Sequence, residues 1–390
     1  MLEWEDERVT VLHADPLALL RTRTSSKWRS YPEDVLPMFV AEMDFPIAPV
    51  IAARLVELVG RSDLGYDARR RALGESFAGY AQDAWGWELD PAKVKATTNV
   101  VVAMTELLRA AIEPGDRVVL TSPVYPPFYG LTKEAGGAIV DVPLRTTGPG
   151  EWALDLEGIE AAFRDGARAF LLCNPHNPVG AAWPRADLEQ LAELAAEHDV
   201  LVLADEIHAP LTHSDATFVP FLTISDAARA TGIAVTSASK AFNLPALTCA
   251  WWVTASKAAE DRVARLPESV IHRTGHFGSH ASEVAFRDAR AWLADCVETL
   301  ETNRRVLRDA LTAELPEAIL HEPRASYLAW IDFRPLGWGG RPQQRILERG
   351  RVALNDGNTF GITGEGFARI NFATSPELIE EGVRRIALAR

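Results

Sequence analysis

Between residues 94 and 254 short apolar, β-branched runs alternate with helical patterns, and each run gives way at once to polar residues. The runs at 117–121, 139–143, 169–173, 200–203 and 233–235 are continuous rather than alternating, which is the pattern of strands buried on both faces. Helical spacing fills the gaps, as at Leu156–Arg164 and 185–198. Strand, helix, strand repeated five times predicts an α/β fold, a mostly parallel sheet covered by helices. In such sheets chemistry collects just beyond the strand ends. The polar residues at those ends are therefore the ones to read for function.

The strand at 200–203 leads to Asp205, and the strand at 233–235 leads to Ser237, Ser239 and Lys240. Upstream, the helix starting near Val100 can be capped by Thr98 or Asn99, leaving the N–H groups of Val100 and Val101 at the positive end of its dipole, a possible phosphate seat. Tyr125 stands in S-P-V-Y-P-P-F, a loop stiffened by proline, where it either packs or lies against a flat ring. Asn174-Pro175-His176-Asn177-Pro178 predicts a sharp turn at another strand end, with the Asn177 amide as a potential donor. After Pro267 the pattern changes to a long helix over 282–315 and short alternating runs at 327–333, 352–354 and 367–372, which predict a smaller α+β domain. The proline-broken start predicts an extended arm over 1–50 with a short strand at 38–41. The expected division is 1–50 arm, 51–275 large domain and 276–390 small domain.

Composition narrows the partners. Of 390 residues, 47% are hydrophobic and 24% charged, and the net charge is −14, which argues against a general binder of nucleic-acid backbones. Cys173, Cys249 and Cys296 form neither a CxxC pair nor an even disulfide set. The acidic start M-L-E-W-E-D-E-R is unlike a signal peptide, and no long apolar run occurs, so a cytoplasmic location without membrane contact is expected. His272, His276 and His280 recur every four residues, but Gly275 and Gly278 are expected to break that helix, and no metal site is expected.

Taken in order, these residues resemble the fold-type I family of pyridoxal-phosphate enzymes, with the aspartate-aminotransferase-like fold. More narrowly, V-A-E-M-D-F, P-V-Y-P-P-F, C-N-P-H-N-P-V-G, D-E-I-H, S-K-A-F-N and F-A-R-I-N resemble the MalY/PatB group of cystathionine β-lyase-like C–S lyases. The resemblance implies pyridoxal 5′-phosphate as cofactor, held by Lys240 as a Schiff base. It further implies that Lys240 acts as the base at the substrate Cα, that Asp205 pairs with the ring nitrogen, and that Asn177 bonds the phenolate oxygen. Tyr125 would stack on the ring, and Ser237 with the amides of Val100 and Val101 would hold the phosphate. His208 would stand by the cofactor where many relatives carry tyrosine. Arg369 would clamp the carboxylate of an amino-acid substrate, and Tyr66 would reach the neighbouring subunit's phosphate in a homodimer.

Thr248, where transaminases of the fold carry arginine, favours a lyase, whereas Glu42 and Pro210 depart from the group's pattern and bear on substrate range. The expected reaction is β-elimination from L-cystathionine or another L-cysteine S-conjugate, giving a thiol, pyruvate and ammonia. An aminotransferase using the same site is the alternative. A ligand-sensing module of the same fold fits less well, because the motifs begin near Lys27 and both Lys240 and Asp205 are in place.

Overall fold

The computed structural model describes residues 11–67, 70–148 and 150–390; the first ten residues of the expected arm lie outside these. Seven strands form the main sheet: β1 (Val94–Thr97), β2 (Arg117–Leu120), β3 (Ala138–Asp141), β4 (Ala167–Cys173), β5 (Leu201–Asp205), β6 (Gly232–Thr236) and β7 (Ala250–Thr254). Their order is β1-β7-β6-β5-β4-β2-β3. Strands β2 to β6 pair in parallel, whereas β7 is antiparallel to both of its neighbours. Two reversals restore the direction, so β1 points the same way as β6. The carboxyl ends of six strands therefore open on one edge.

Strand periodicity sorts the core into two layers. Val118, Leu120, Leu171, Leu201, Leu203, Ile233 and Val235 pack on one side, and Val119, Phe170, Leu172, Val202, Ala204 and Ala234 on the other. Both faces are buried, which is why the runs lack polar alternation. Asp205 follows Leu203 by two residues on the same strand, so the apolar face of Leu201 and Leu203 ends in a carboxylate. The strand runs through Asp205 itself, two residues further than expected.

The smaller sheet contains β8 (Ile319–His321), β9 (Leu328–Asp332), β10 (Asn355–Asp356) and β11 (Phe367–Asn371), all antiparallel, in the order β8-β9-β11-β10. The expected single helix over 282–315 is two helices, His276–Asp288 and Arg290–Glu314, hinged at Ala289. The first packs on Pro49–Gly60 and Arg70–Trp85 beside the large sheet, and the second on Pro376–Ala387 beside the small one. One unbroken helix could not serve both. Gly278 does not break the first helix: a Cβ there would lie 2.1 Å from the Leu247 carbonyl oxygen, so glycine lets the helix close on that turn. His276 and His280 thus share a helix face, with ring centroids 4.5 Å apart.

The arm joins the small sheet's side of the molecule, where Leu36–Pro37 pairs in parallel with Val352–Ala353. The expected strand at 38–41 does not form. Backbone pairing ends at Met38, which donates to Ala353 O and accepts from Asn371 N; beyond it the chain continues as an irregular strap whose carbonyls are taken by side chains, Asn371 Nδ2 donating to Val40 and Glu42, and Tyr327 Oη to Ala41. A buried ion pair anchors its base, with Lys27 Nζ 2.9 Å from Asp44 Oδ1. Trp28 Nε1 donates to the same oxygen at 3.2 Å, and Lys27 also donates to the Glu42 carbonyl. Removing one member of such a pair strands the other charge in the interior. Lys27→Met is expected to lower stability by about 3–5 kcal/mol in urea unfolding, and adding Asp44→Asn is expected to recover much of that loss.

Candidate active site

The strand ends and the strap enclose a cavity of about 510 Å³ at the carboxyl edge of the large sheet. Val100, Val101, Tyr125, Asn177, Asp205, His208, Ser237, Lys240 and Arg369 all line it. Tyr66 does not; its side chain is fully exposed.

Local chemistry explains the wall nearest β1. Of the two possible caps, Asn99 is the one used: its Oδ1 accepts from Val102 N at 2.9 Å, and the helix runs over Val100–Ala111. The N–H groups of the first turn have no carbonyl within the helix to bond. With the helix dipole behind them, Val100 and Val101 form an anion-favouring end of the cavity. Ser237 caps a short turn at Ala238–Ala241, accepting from Ser239 N at 3.0 Å while its hydroxyl donates to Cys249 O at 2.6 Å. That hydroxyl must turn away from Cys249 to donate to an anion.

The floor holds charges taken far from water. Asp205, 3% exposed, accepts from Ile207 N at 3.1 Å. Burial pushes its carboxyl up to about 7, against the pull of the Ile207 N–H and Lys240. Lys240 is pushed down to about 8 by burial and by Arg369, while Glu42 and Asp205 oppose the fall. Its Nζ donates to Ala41 O on the strap at 2.9 Å. His208 is pushed down to about 3 by burial, Lys240 and Arg369, so its ring is neutral at neutral pH. Burial, and then Asp205, raises Tyr125. Here the amine and the carboxyl both lie close to neutrality, so either changes charge at little cost.

Arg369 comes from the small sheet. In register it faces Trp330 on one side and Asn355 on the other, and its side chain reaches into the cavity from the middle strand β11. Nη1 donates to Asn177 Oδ1 at 2.9 Å, while Nη2 donates to Asn355 Oδ1 at 2.7 Å and to Phe39 O at 3.2 Å. The guanidinium lies 5.0 Å from the Phe360 ring centroid. Burial lowers Arg369 only to about 10, so it remains a cation.

Several contributors carry no mark in the sequence. Asn355, the carbonyls of Phe39 and Ala41, and the Cys173 side chain belong to the cavity or hold its charged groups. Only the cross-strand register and the path of the strap bring them in. Thr248, which the sequence did single out, lines the cavity too and takes a left-handed backbone conformation, φ 49°, just before β7.

Residues 41–386 match the family described as aminotransferase class I and II. The chain belongs to this family. The aminotransferase match begins at Ala41, the residue whose carbonyl receives Lys240. Within the family the chain falls in the MalY/PatB group. It is 38% identical to a putative cystathionine β-lyase of Mycobacterium leprae, over 95% of this chain and 96% of that one. It is 34% identical to the cystathionine β-lyase PatB of Bacillus subtilis, over 91% and 92%. Among solved structures, a putative PLP-dependent β-cystathionase from Corynebacterium diphtheriae superposes with a TM-score of 0.91 at 32% identity, covering 97% of this chain and 98% of that one. The expected fold class therefore holds.

The buried carboxylate makes a measurable prediction for the ligand-free chain. With Asp205 raised from 3.8 to about 7, the folded protein keeps a proton that the unfolded chain releases, so this residue costs stability as pH rises through that window. Asp205→Asn removes the cost. Ligand-free Asp205→Asn is expected to exceed wild type by about 2–4 kcal/mol at pH 8 and by about 1 kcal/mol at pH 5, read by thermal unfolding at the two pH values.

Proposed function

We propose that this protein is a carbon–sulfur β-lyase that cleaves L-cystathionine or a related L-cysteine S-conjugate to a thiol, pyruvate and ammonia. The cofactor is pyridoxal 5′-phosphate. The observation that carries the reading is one cavity lined together by an amine near neutrality, Lys240, a buried carboxyl, Asp205, and a buried cation, Arg369. Support comes from the names of relatives matched over nearly the full chain.

The residues fit the cofactor. The Val100 and Val101 amides suit its phosphate, with Ser237 once the hydroxyl turns. Asp205 is a buried acid that gains most from a cationic partner, which a protonated ring nitrogen provides. Asn177 must present its oxygen to Arg369, because guanidinium nitrogens only donate; its amide nitrogen is thereby left to donate to a phenolate oxygen. Tyr125 supplies a ring face, and neutral His208 adds no competing positive charge.

When bound, pyridoxal phosphate supplies an aldehyde that condenses with amines and a ring that withdraws electrons from the adjacent carbon. Lys240 would hold it covalently, and its amine, when free, would take the substrate Cα proton. The Cβ–S bond then breaks with its electron pair leaving on sulfur, which ends as the thiol. The remaining three carbons, with one water, become pyruvate and ammonia. Arg369 binds the substrate carboxylate and keeps the Cα proton facing Lys240. The same proposal keeps residues 1–50 as the arm and divides the rest into a cofactor domain and a small domain, with the boundary moved from 275 to Ala289 because the helix His276–Asp288 packs beside the large sheet.

A homodimer belongs to the proposal. Tyr66, Leu64, Val56 and Val59 are exposed on or just after the helix Pro49–Gly60, and a second copy covering them would bring Tyr66 toward its partner's phosphate site. No helix among the described residues is long and apolar enough to cross a membrane. Three buried free cysteines suit a reducing cytoplasm.

With the cofactor-loaded protein, L-cystathionine and S-methyl-L-cysteine are each expected to yield pyruvate and thiol in equal amounts. Conversion of the cofactor to its amine form, with neither product released, would mean an aminotransferase instead. Lys240→Ala is expected to lose about 10²–10⁴-fold or more in turnover, and wild-type turnover in that variant would sink the scheme.

A further inference from the structure

Asn355 lies directly across the sheet from Arg369, one strand away. Its Oδ1 accepts from Arg369 Nη2 at 2.7 Å, and the residue lines the cavity. Which end of this amide faces which way is decided by chemistry. Arginine has five N–H donors and no acceptor, so only the amide oxygen can face it. The Nδ2 group, with two hydrogens, must then point to the other side. Among the described residues it has no hydrogen-bond partner.

The guanidinium's own accounting places a ligand beside that group. A carboxylate is gripped by two parallel N–H bonds, through either the outer edge (Nη1 with Nη2) or the side edge (Nε with Nη2). Both edges use Nη2. Of the two acceptors now on Nη2, Phe39 O at 3.2 Å is longer than Asn355 Oδ1 at 2.7 Å, so the strap carbonyl is the one to yield. The incoming anion then sits next to the nitrogen that Asn355 already holds. Asn177 grips Nη1 from the large domain in the same way, so two amides flank one cation.

We propose that Asn355 is a second substrate-binding residue: its oxygen fixes Arg369 while its Nδ2 donates to the same substrate carboxylate. The proposal rests on the assignment of Arg369 as the carboxylate site. Asn355 lies on the edge strand β10, in the small sheet, so this second donor would arrive together with Arg369 as one rigid unit.

The test uses the cofactor-loaded enzyme and 3-(methylthio)propanoate, a thioether acid with no amino group, which binds without turnover. Calorimetric titration of Asn355→Ala is expected to show binding weakened about 10- to 100-fold, the range for a hydrogen bond to a charged group. Asn355→Asp keeps an oxygen for Arg369 but loses the donor and places a negative charge beside the ligand. It is expected to weaken binding at least as much as alanine does. For S-methyl-L-cysteine, KM is expected to rise by a similar factor, with kcat changed less than about threefold. Both variants should keep the wild-type melting temperature and cofactor absorbance.

Wild-type affinity in Asn355→Asp would overturn the proposal, because a residue that only positions Arg369 tolerates that change. Unchanged affinity in Asn355→Ala would overturn it as well. Failure of the lyase reading is a separate result: wild type would release neither pyruvate nor thiol, while the affinity of the unreactive acid would still report on Asn355.

Discussion

A buried guanidinium ties the parts of this protein together. Arg369 grows from the small sheet, bonds Asn177 at a strand end of the large sheet, and bonds the Phe39 carbonyl of the arm. Taking such a cation out of water costs several kcal/mol unless its hydrogens are satisfied. Here Asn355, Asn177 and Phe39 supply partners for both terminal nitrogens from the small sheet, the large sheet and the arm, leaving only Nε without one among the described residues, so the cation is accommodated only when all three parts are in place. Cavity, clamp and domain arrangement are in this sense one constraint.

The strap from Phe39 to Asp44 is the second half of that constraint. Its carbonyls at 39 and 41 hold two charged groups of the cavity, Arg369 and Lys240, the pair that the proposed function assigns to the substrate. Both are bonds that ligands can replace, since a carboxylate and an imine-forming aldehyde compete directly for those nitrogens. The ion pair of Lys27 with Asp44 holds the strap from below, so its backbone stays close to the cavity when those bonds exchange. Burial then sets the chemistry: Lys240 is pulled down, Asp205 is pushed up, and each becomes able to change its protonation state near neutral pH.

Much of this was legible before any coordinates. Continuous apolar runs name strands buried on both faces, and residues at their carboxyl ends must meet at one edge if the sheet is parallel. That places Asp205, Ser237 and Lys240 together with Asn177 and Tyr125, without knowledge of the strand order. The strand expected at 38–41 failed for a physical reason: backbone pairing with Ala353 and Asn371 ends at Met38, and the carbonyls beyond it are claimed by the side chains of Arg369, Asn371 and Tyr327. The helix expected over 282–315 failed because apolar spacing cannot show that its two halves face different bodies.

By itself the sequence determined the alternation of strands and helices, the edge at which polar residues gather, and the chemical types assembled there. These depend on periodicity and on neighbours a few residues apart. Only the tertiary structure decided that Asn355 faces Arg369, that Phe39 and Ala41 carbonyls hold the charged groups, and that Tyr66 points away from its own chain's cavity. Arg369 meets Phe39 across 330 residues and Asn177 across 192. Contacts at such separations follow from the packing of two sheets and an arm, and no local pattern of residues encodes them.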